Sequence, residues 1–134
     1  MLWRRTKRRL VRKRASSVTK HYVANKETAR VVILDRLAFF NQFYNLHWNR
    51  VAIRNQRRCW GSCSAKGNLN FNYKVLFLPE HLRDYIIVHE MCHLTHLNHG
   101  KDFWDLVATQ MPDYRNYVQE LHALDKAGQA KLIS

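Results

Sequence analysis

The spacing of apolar residues divides the sequence into helical and extended segments. From Asn25 onward, apolar residues recur every three or four positions, which predicts an amphipathic helix capped by Asn25. Between residues 46 and 77 the pattern changes towards alternation, with turn signals at 54–56 and 65–68. This change predicts three strands, at about 46–53, 59–64 and 69–77. The apolar positions of the predicted helix are Ala29, Val32, Ile33, Leu37, Phe40 and Tyr44.

The second half of the chain returns to helical spacing. Pro79 and Glu80 predict a helix start, because proline is tolerated in the first turn and an acid there complements the helix dipole. Asn98 and Gly100 interrupt the pattern, a short helix follows over 102–111, and a last helix begins after it. An N-terminal helix, a small sheet with antiparallel strands, and further helices predict an α+β fold.

Charge is distributed unevenly along the chain. The 134 residues, 46% of them hydrophobic, suit one compact core. The 23 basic and 10 acidic residues give a net charge of +13, and eight of the basic residues lie within residues 1–14, which contain no acid. Because like charges at this density repel one another, we interpret residues 1–22 as a basic flexible arm and residues 23–134 as the folded domain. The arm is a candidate contact for nucleic acid.

Cysteine content and hydropathy bear on the compartment. Cys59, Cys63 and Cys92 are an odd number, so reduced thiols are expected rather than a disulfide framework. No apolar run approaches the ~20 residues that a transmembrane helix needs. No apolar segment follows the basic N-terminus as it would in a secretory signal. The sequence therefore predicts a cytoplasmic protein without a membrane partner.

The most informative segment is His89-Glu90-Met91-Cys92-His93. Histidines four positions apart lie on one face of a helix, one turn apart, so both imidazoles can bind one metal ion. Glu90 lies beside that face, where it can hold a water molecule and exchange a proton with it. The spacing predicts a zinc hydrolase with His89 and His93 on Zn²⁺ and Glu90 as the catalytic acid/base. The alternative is a chance pattern of two surface histidines beside an acid.

Several segments around this motif carry a family resemblance. They are Trp60-Gly61-Ser62-Cys63-Ser64, Gly67-Asn68-Leu69-Asn70, Tyr85-Ile86-Ile87-Val88, and Asn98-His99 followed by Phe103-Trp104. Together with H-E-x-x-H they resemble the YgjP-like zinc metallopeptidases, relatives of the WLM and SprT-like proteases, over about residues 21–125. The resemblance implies a minimal zincin-type domain in which His89 and His93 bind zinc, Glu90 is the acid/base and His99 is the third ligand.

Two other residues compete with His99 for the third ligand position. His96 would lie on the same helical face as His89, but seven residues of helix separate their backbones by about 10 Å. Zinc bonds of ~2.1 Å do not comfortably join both ends of that span with His93 between them. His99 follows six positions after His93, beyond a predicted turn. Cys63 stays an alternative, because a strand and a helix can bring its thiolate within reach.

Three functions fit these residues. The leading hypothesis is a zinc-dependent metallohydrolase acting on peptides or proteins, with the strand edge within residues 59–77 holding an extended substrate. The ligand spacing also resembles the YbeY-type ribosomal RNA endonucleases, but Glu90 and the Trp-Gly-Ser-Cys segment favour the peptidase. The third hypothesis, a nucleic-acid-binding module with a structural zinc, would need four protein ligands around the ion.

Overall fold

A computed structural model describes residues 2–126, with side chains from residue 19 onward. The elements in chain order are α1 (Leu2–Tyr44), β1 (Arg50–Arg54), β2 (Gly61–Cys63), β3 (Asn68–Asn72), a 3-10 helix (Tyr73–Phe77), α2 (Glu80–Cys92), α3 (Lys101–Gln110) and α4 (Tyr114–Lys126). The helices and the small sheet confirm the predicted α+β class. Within the described range, no helix is both long enough and apolar enough to cross a bilayer.

Helix α1 starts earlier than the sequence predicts. It begins at Leu2, so Asn25 is not its cap; the Asn25 side chain instead donates a hydrogen bond to the carbonyl of His21 within the helix. Residues 2–44 contain neither glycine nor proline, the two residues with the lowest helix propensity. The helix can therefore continue without a break from the basic segment into the rest of α1. The predicted inward face is confirmed for the four side chains that are buried: Ala29, Ile33, Leu37 and Phe40.

The end of the predicted arm contacts the rest of the molecule. The hydroxyl of Tyr22 donates to the carbonyl of Ile53 at 2.7 Å, and Nδ1 of His21 is hydrogen-bonded to the hydroxyl of Tyr73 at 2.7 Å. The side chains of residues 1–18 lie outside those that the structure describes. The flexibility of the arm at 1–22, its division from a domain at 23–134 and its contact with nucleic acid therefore stay predictions.

The three strands form one mixed sheet in the order β1-β3-β2. Strand β2 pairs antiparallel with β3, as predicted, but β1 pairs parallel with β3. The prediction of antiparallel strands is wrong for β1 because β3 lies between β1 and β2, so the first two strands do not form a hairpin. This order leaves β2 at an edge of the sheet.

Strand β3 ends five residues before the alternating pattern predicts. The Asn72 side chain accepts a hydrogen bond from the backbone N–H of Lys74 at 3.0 Å, and this contact caps the 3-10 helix. Its amide nitrogen donates to the carbonyl of Gln56 at 2.6 Å, which ties the end of the strand to the preceding loop. The apolar residues Tyr73 and Val75 are buried from a 3-10 helix instead of from a strand.

Helix α2 lies at the centre of the molecule. It begins after Pro79, as predicted, and from Asp84 to Cys92 every residue is buried. A helix that is buried all round is covered on every side by other elements, here α1, α3, α4 and β2. Arg36 of α1 makes a bidentate ion pair with Asp84, with N···O distances of 2.9 and 3.0 Å. The ion pair and the surrounding elements hold α2 in place, and its second half is largely shielded from water.

Candidate metal centre

Three histidine side chains meet at the C-terminal end of α2. His89 and His93 lie one turn apart on the buried helix, and His99 reaches them from the segment between α2 and α3. The Nε2 atoms are 3.2 Å apart for His89 and His93, 3.1 Å for His93 and His99, and 3.3 Å for His99 and His89. Two nitrogens on one tetrahedral zinc ion, each ~2.05 Å from it, are ~3.3 Å apart. The three imidazoles therefore fit one tetrahedral ion with a fourth position left for another ligand.

Hydrogen bonds at the opposite ring nitrogens orient two of the imidazoles. Nδ1 of His93 donates to the backbone carbonyl of His96 at 3.0 Å, and Nδ1 of His89 lies 3.0 Å from the hydroxyl of Tyr85. A proton on Nδ1 leaves the lone pair on Nε2, where the three histidines converge. The His96 carbonyl can only accept, so it fixes His93 in the tautomer that a metal ligand needs, and the Tyr85 hydroxyl can accept from His89 in the same tautomer.

The protonation state of the cluster also suits metal binding. Burial lowers the pKa of His93 below its ordinary value, and the neighbouring His99 lowers it further, against the opposing effect of the His96 carbonyl. Burial likewise lowers the pKa of His99. Only a neutral imidazole binds a metal ion. Because the pKa values of His93 and His99 are lowered, fewer protons have to leave these rings when the metal binds near neutral pH.

The segment that carries His99 is formed without a left-handed residue. After α2, the N–H groups of Leu94 and Thr95 bond back to the carbonyls of Met91 and Cys92, which tightens the last turn. Gly100 has φ −81°, and no atom beyond its chain neighbours lies within 4 Å of a Cβ added there, so this position does not require glycine. His96 is not among the residues with positive φ in residues 2–126. The turn after α2 therefore forms without a residue that requires the conformational freedom of glycine.

Aromatic rings hold the histidines from the α3 side. Phe103 stacks on His93, with ring centroids 4.4 Å apart and an interplanar angle of 18°. Trp104 stacks on His99 at 5.9 Å and 27°, and its indole in turn stacks on Tyr114 at 4.8 Å and 15°. Phe103 and Trp104 therefore pack directly against the histidine rings.

Glu90, the residue after His89, packs against a glycine of β2. The Glu90 side chain is buried, and a Cβ added to Gly61 would lie 2.9 Å from its Cγ and 3.2 Å from its Oε2. Any larger residue at 61 would therefore displace the carboxylate or the strand. Gly61 lies within the Trp-Gly-Ser-Cys segment, and its contact with Glu90 was not predicted from the sequence. A glycine inside a predicted strand was the available signal, because it often marks a close approach of another group.

The two competing ligand candidates do not join the histidine group. His96 contributes its backbone carbonyl to His93, and Cys63 is not among the residues whose ligand atoms cluster with His89. Burial raises the pKa of Cys63 to about 11, and the charge of Glu90 raises it as well. The same two causes, in the same order, raise the pKa of Cys59. Both thiols are therefore protonated at neutral pH, the form that binds metal poorly.

The fold and this site define a small metallohydrolase domain of the H-E-x-x-H type. A family model described as "YgjP-like, metallopeptidase domain" matches residues 4–124, which is most of the chain. The protein belongs to this family, which confirms the resemblance and makes it a metallopeptidase acting on peptides or proteins. No protein of curated function matches the sequence significantly.

Two solved structures have a similar fold. The metallopeptidase zymogen of Pyrococcus abyssi abylysin superposes with a TM-score of 0.65 at 22% identity, covering 75% of this chain and 99% of that one. The metallopeptidase zymogen of Methanocaldococcus jannaschii jannalysin gives a TM-score of 0.55 at 24% identity, covering 66% of this chain and 96% of that one. At these identities the likeness establishes the shared fold.

Proposed function

We propose that the protein is a zinc-dependent peptidase with His89, His93 and His99 as the metal ligands and Glu90 as general acid/base. The single observation that carries this proposal is the convergence of three Nε2 atoms, 3.1–3.3 Å apart, beside a buried carboxylate. Imidazole nitrogens in a tetrahedral arrangement suit zinc, and three protein ligands are the number found in catalytic rather than structural zinc sites.

The roles follow from the chemistry of each group. Zinc, when bound, supplies a Lewis acid that polarises the scissile carbonyl and lowers the pKa of water. Glu90 accepts a proton from the attacking water and gives it to the leaving amine. Its burial against Gly61 fixes the carboxylate on the β2 side of the site. Hydrogen bonds between His89 and the Tyr85 hydroxyl, and from His93 to the His96 carbonyl, keep the ligands oriented.

Strand β2 offers a binding surface for an extended peptide. Among the described residues it pairs only with β3, so its other edge carries unpaired backbone donors and acceptors. The contact of Gly61 with Glu90 supports this surface, because a peptide added along the strand would lie close to the proposed acid/base. Main-chain pairing of this kind binds a peptide through its backbone, so it does not require particular side chains in the substrate.

The test compares metal content and peptide cleavage in the wild type and in Glu90→Gln. The variant should keep zinc at one ion per chain and lose at least ~100-fold in rate, the scale of a positioned acid/base. Equal cleavage by the variant would remove Glu90 from the mechanism. Zinc bound by the wild type without cleavage of any peptide would contradict the peptidase assignment and favour RNA hydrolysis.

The ligand set is tested by single substitutions. His99→Ala should lose most of the zinc affinity, because the remaining pair of imidazoles holds only two of the four positions. Cys63→Ser serves as the matched control, since its thiol lies outside the cluster, and should bind zinc as the wild type does. A reversed outcome, with Cys63→Ser losing zinc and His99→Ala keeping it, would overturn the ligand assignment.

A further inference from the structure

The sheet region differs in charge from the rest of the molecule. Residues 45–79 contain no acidic residue, whereas all ten acids of the chain lie before or after this segment. The same segment carries six basic residues, all of them exposed: Arg50, Arg54, Arg57, Arg58, Lys66 and Lys74. We refer to these six residues as the basic sheet surface.

None of these cations is neutralised within the part of the chain that the structure describes. The ion pairs in that part of the chain are those of Arg36 with Asp84 and of His81 with Glu120, both outside the sheet. Arg54 donates to the uncharged Oδ1 of Asn70 at 3.3 Å, which positions the guanidinium without cancelling its charge. The positive field of this surface is therefore available to a partner.

Part of the basic sheet surface flanks β2 in sequence. Strand β2 covers residues 61–63 at an edge of the sheet, and its Gly61 contacts Glu90. Arg57 and Arg58 precede the strand by three or four residues, and Lys66 lies in the turn that follows it. A peptide paired along β2 would therefore run between cations at both of its ends.

We propose that the site prefers peptide segments with acidic residues on both sides of the scissile bond, which Arg57, Arg58 and Lys66 attract. This inference rests on the proposed function, because it assumes that substrate lies along β2. The favoured partner is a peptide rather than nucleic acid, since the cations flank a strand edge that pairs with a polypeptide backbone. Exposed charge pairs are individually weak and salt-sensitive, so several together give a preference of about tenfold at low salt.

Binding is measured separately from turnover, with zinc-loaded Glu90→Gln and two fluorescein-labelled decapeptides. The peptides share one sequence, with glutamates on both sides of the centre in the first and glutamines in their place in the second. The acidic peptide should bind about tenfold more tightly at low salt, and the difference should shrink at about 0.5 M salt, where the screening length is only a few ångströms. Equal affinity of the two peptides at low salt would overturn the proposal.

Charge-removing variants identify the surface. In the Glu90→Gln background, Arg57→Gln with Arg58→Gln, and separately Lys66→Gln, should each weaken the acidic peptide about threefold and leave the glutamine peptide unchanged. Lys20→Gln is the matched control, because it removes an exposed charge from α1, and should change neither affinity. Equal losses in all variants would show a general effect of net charge and contradict the assignment to this surface.

The outcomes separate this inference from the proposed function. Cleavage of a peptide library by the wild type without enrichment of acids would overturn the inference and leave the peptidase intact. Absence of any cleavage would overturn the peptidase, while the binding comparison would still decide the charge preference. Binding of a DNA duplex of about two helical turns without binding of the acidic peptide would assign the surface to nucleic acid and contradict the proposal.

Discussion

Replacing Tyr85 with phenylalanine should weaken zinc binding while the fold is kept. The Tyr85 side chain is buried, and the substitution removes one hydroxyl that lies 3.0 Å from Nδ1 of His89. Burial and the charge of Glu90 raise the pKa of Tyr85, so the hydroxyl is neutral and accepts a hydrogen bond from Nδ1–H when Nε2 binds the metal. Tyr85→Phe removes this hydrogen bond.

The expected size follows from the cost of removing a hydrogen bond from a buried group. A loss of ~1–3 kcal/mol corresponds to a factor of about 5 to 150 in the dissociation constant, and loss of an outer hydrogen bond to a ligating histidine has effects of 10- to 100-fold. We therefore expect Tyr85→Phe to weaken zinc about 10- to 100-fold. The metal-free variant should unfold at nearly the same temperature as the metal-free wild type, because the ring remains.

The assay is competition for zinc against a chromophoric chelator at fixed pH. Tyr117→Phe is the matched control, since its ring lies 6.2 Å from that of Tyr85 and its hydroxyl makes no hydrogen bond with the described residues. The visible spectrum of the cobalt-substituted protein should also change in Tyr85→Phe and not in the control. Unchanged zinc affinity and an unchanged cobalt spectrum in Tyr85→Phe would refute the orienting role of this hydroxyl.

Two further predictions test the placement of the acid/base and the protonation of the ligands. Gly61→Ala should lower peptide cleavage at least ~10-fold at full zinc occupancy, because the added Cβ would lie 2.9 Å from Cγ of Glu90. Gly100→Ala is the control and should leave cleavage unchanged, because no atom lies within 4 Å of its added Cβ. Equal activities of the two variants would contradict the close contact. The metal-free protein should lose stability as pH falls below ~6.5, because the lowered pKa values of His93 and His99 mean that the unfolded chain binds more protons. Chemical denaturation between about pH 7 and pH 5 measures this loss, and a pH-independent midpoint would exclude it.

Local spacing predicted much of the site because its main contacts are local in sequence. His89 and His93 lie one turn apart on α2, and one helical turn is a property that the sequence pattern contains directly. The structure also brings His99 to this pair, as the resemblance implied. Its role as a ligand, like that of Glu90 as acid/base, stays a prediction until the metal-loaded protein is measured.

What the sequence did not predict depends on contacts between distant segments. Gly61 meets Glu90 across 29 positions, and the parallel pairing of β1 with β3 follows from the sheet order. The early end of β3 depends on the side chain of Asn72, whose partners include a loop 16 residues away. No periodicity within one segment reports such contacts, so hydropathy patterns locate the elements better than they pair them.

The role of His96 illustrates the same limit at the site itself. Its side chain competed for the ligand position on spacing alone, whereas the structure uses its backbone carbonyl to orient His93. Backbone carbonyls carry no sequence signature, since every residue has one. Such outer contacts become visible only when the turn after α2 is known.

X-ray absorption at the zinc edge, on the protein loaded with one zinc ion, tests the central claim most directly. The proposed ligand set predicts only nitrogen and oxygen neighbours at ~2.0–2.1 Å, with the outer-shell scattering of three imidazoles and one further light atom in the open position. His99→Ala should reduce the imidazole count by one. A sulfur neighbour at ~2.3 Å, which Cys63 would supply, or four imidazoles and no open position, would contradict the account.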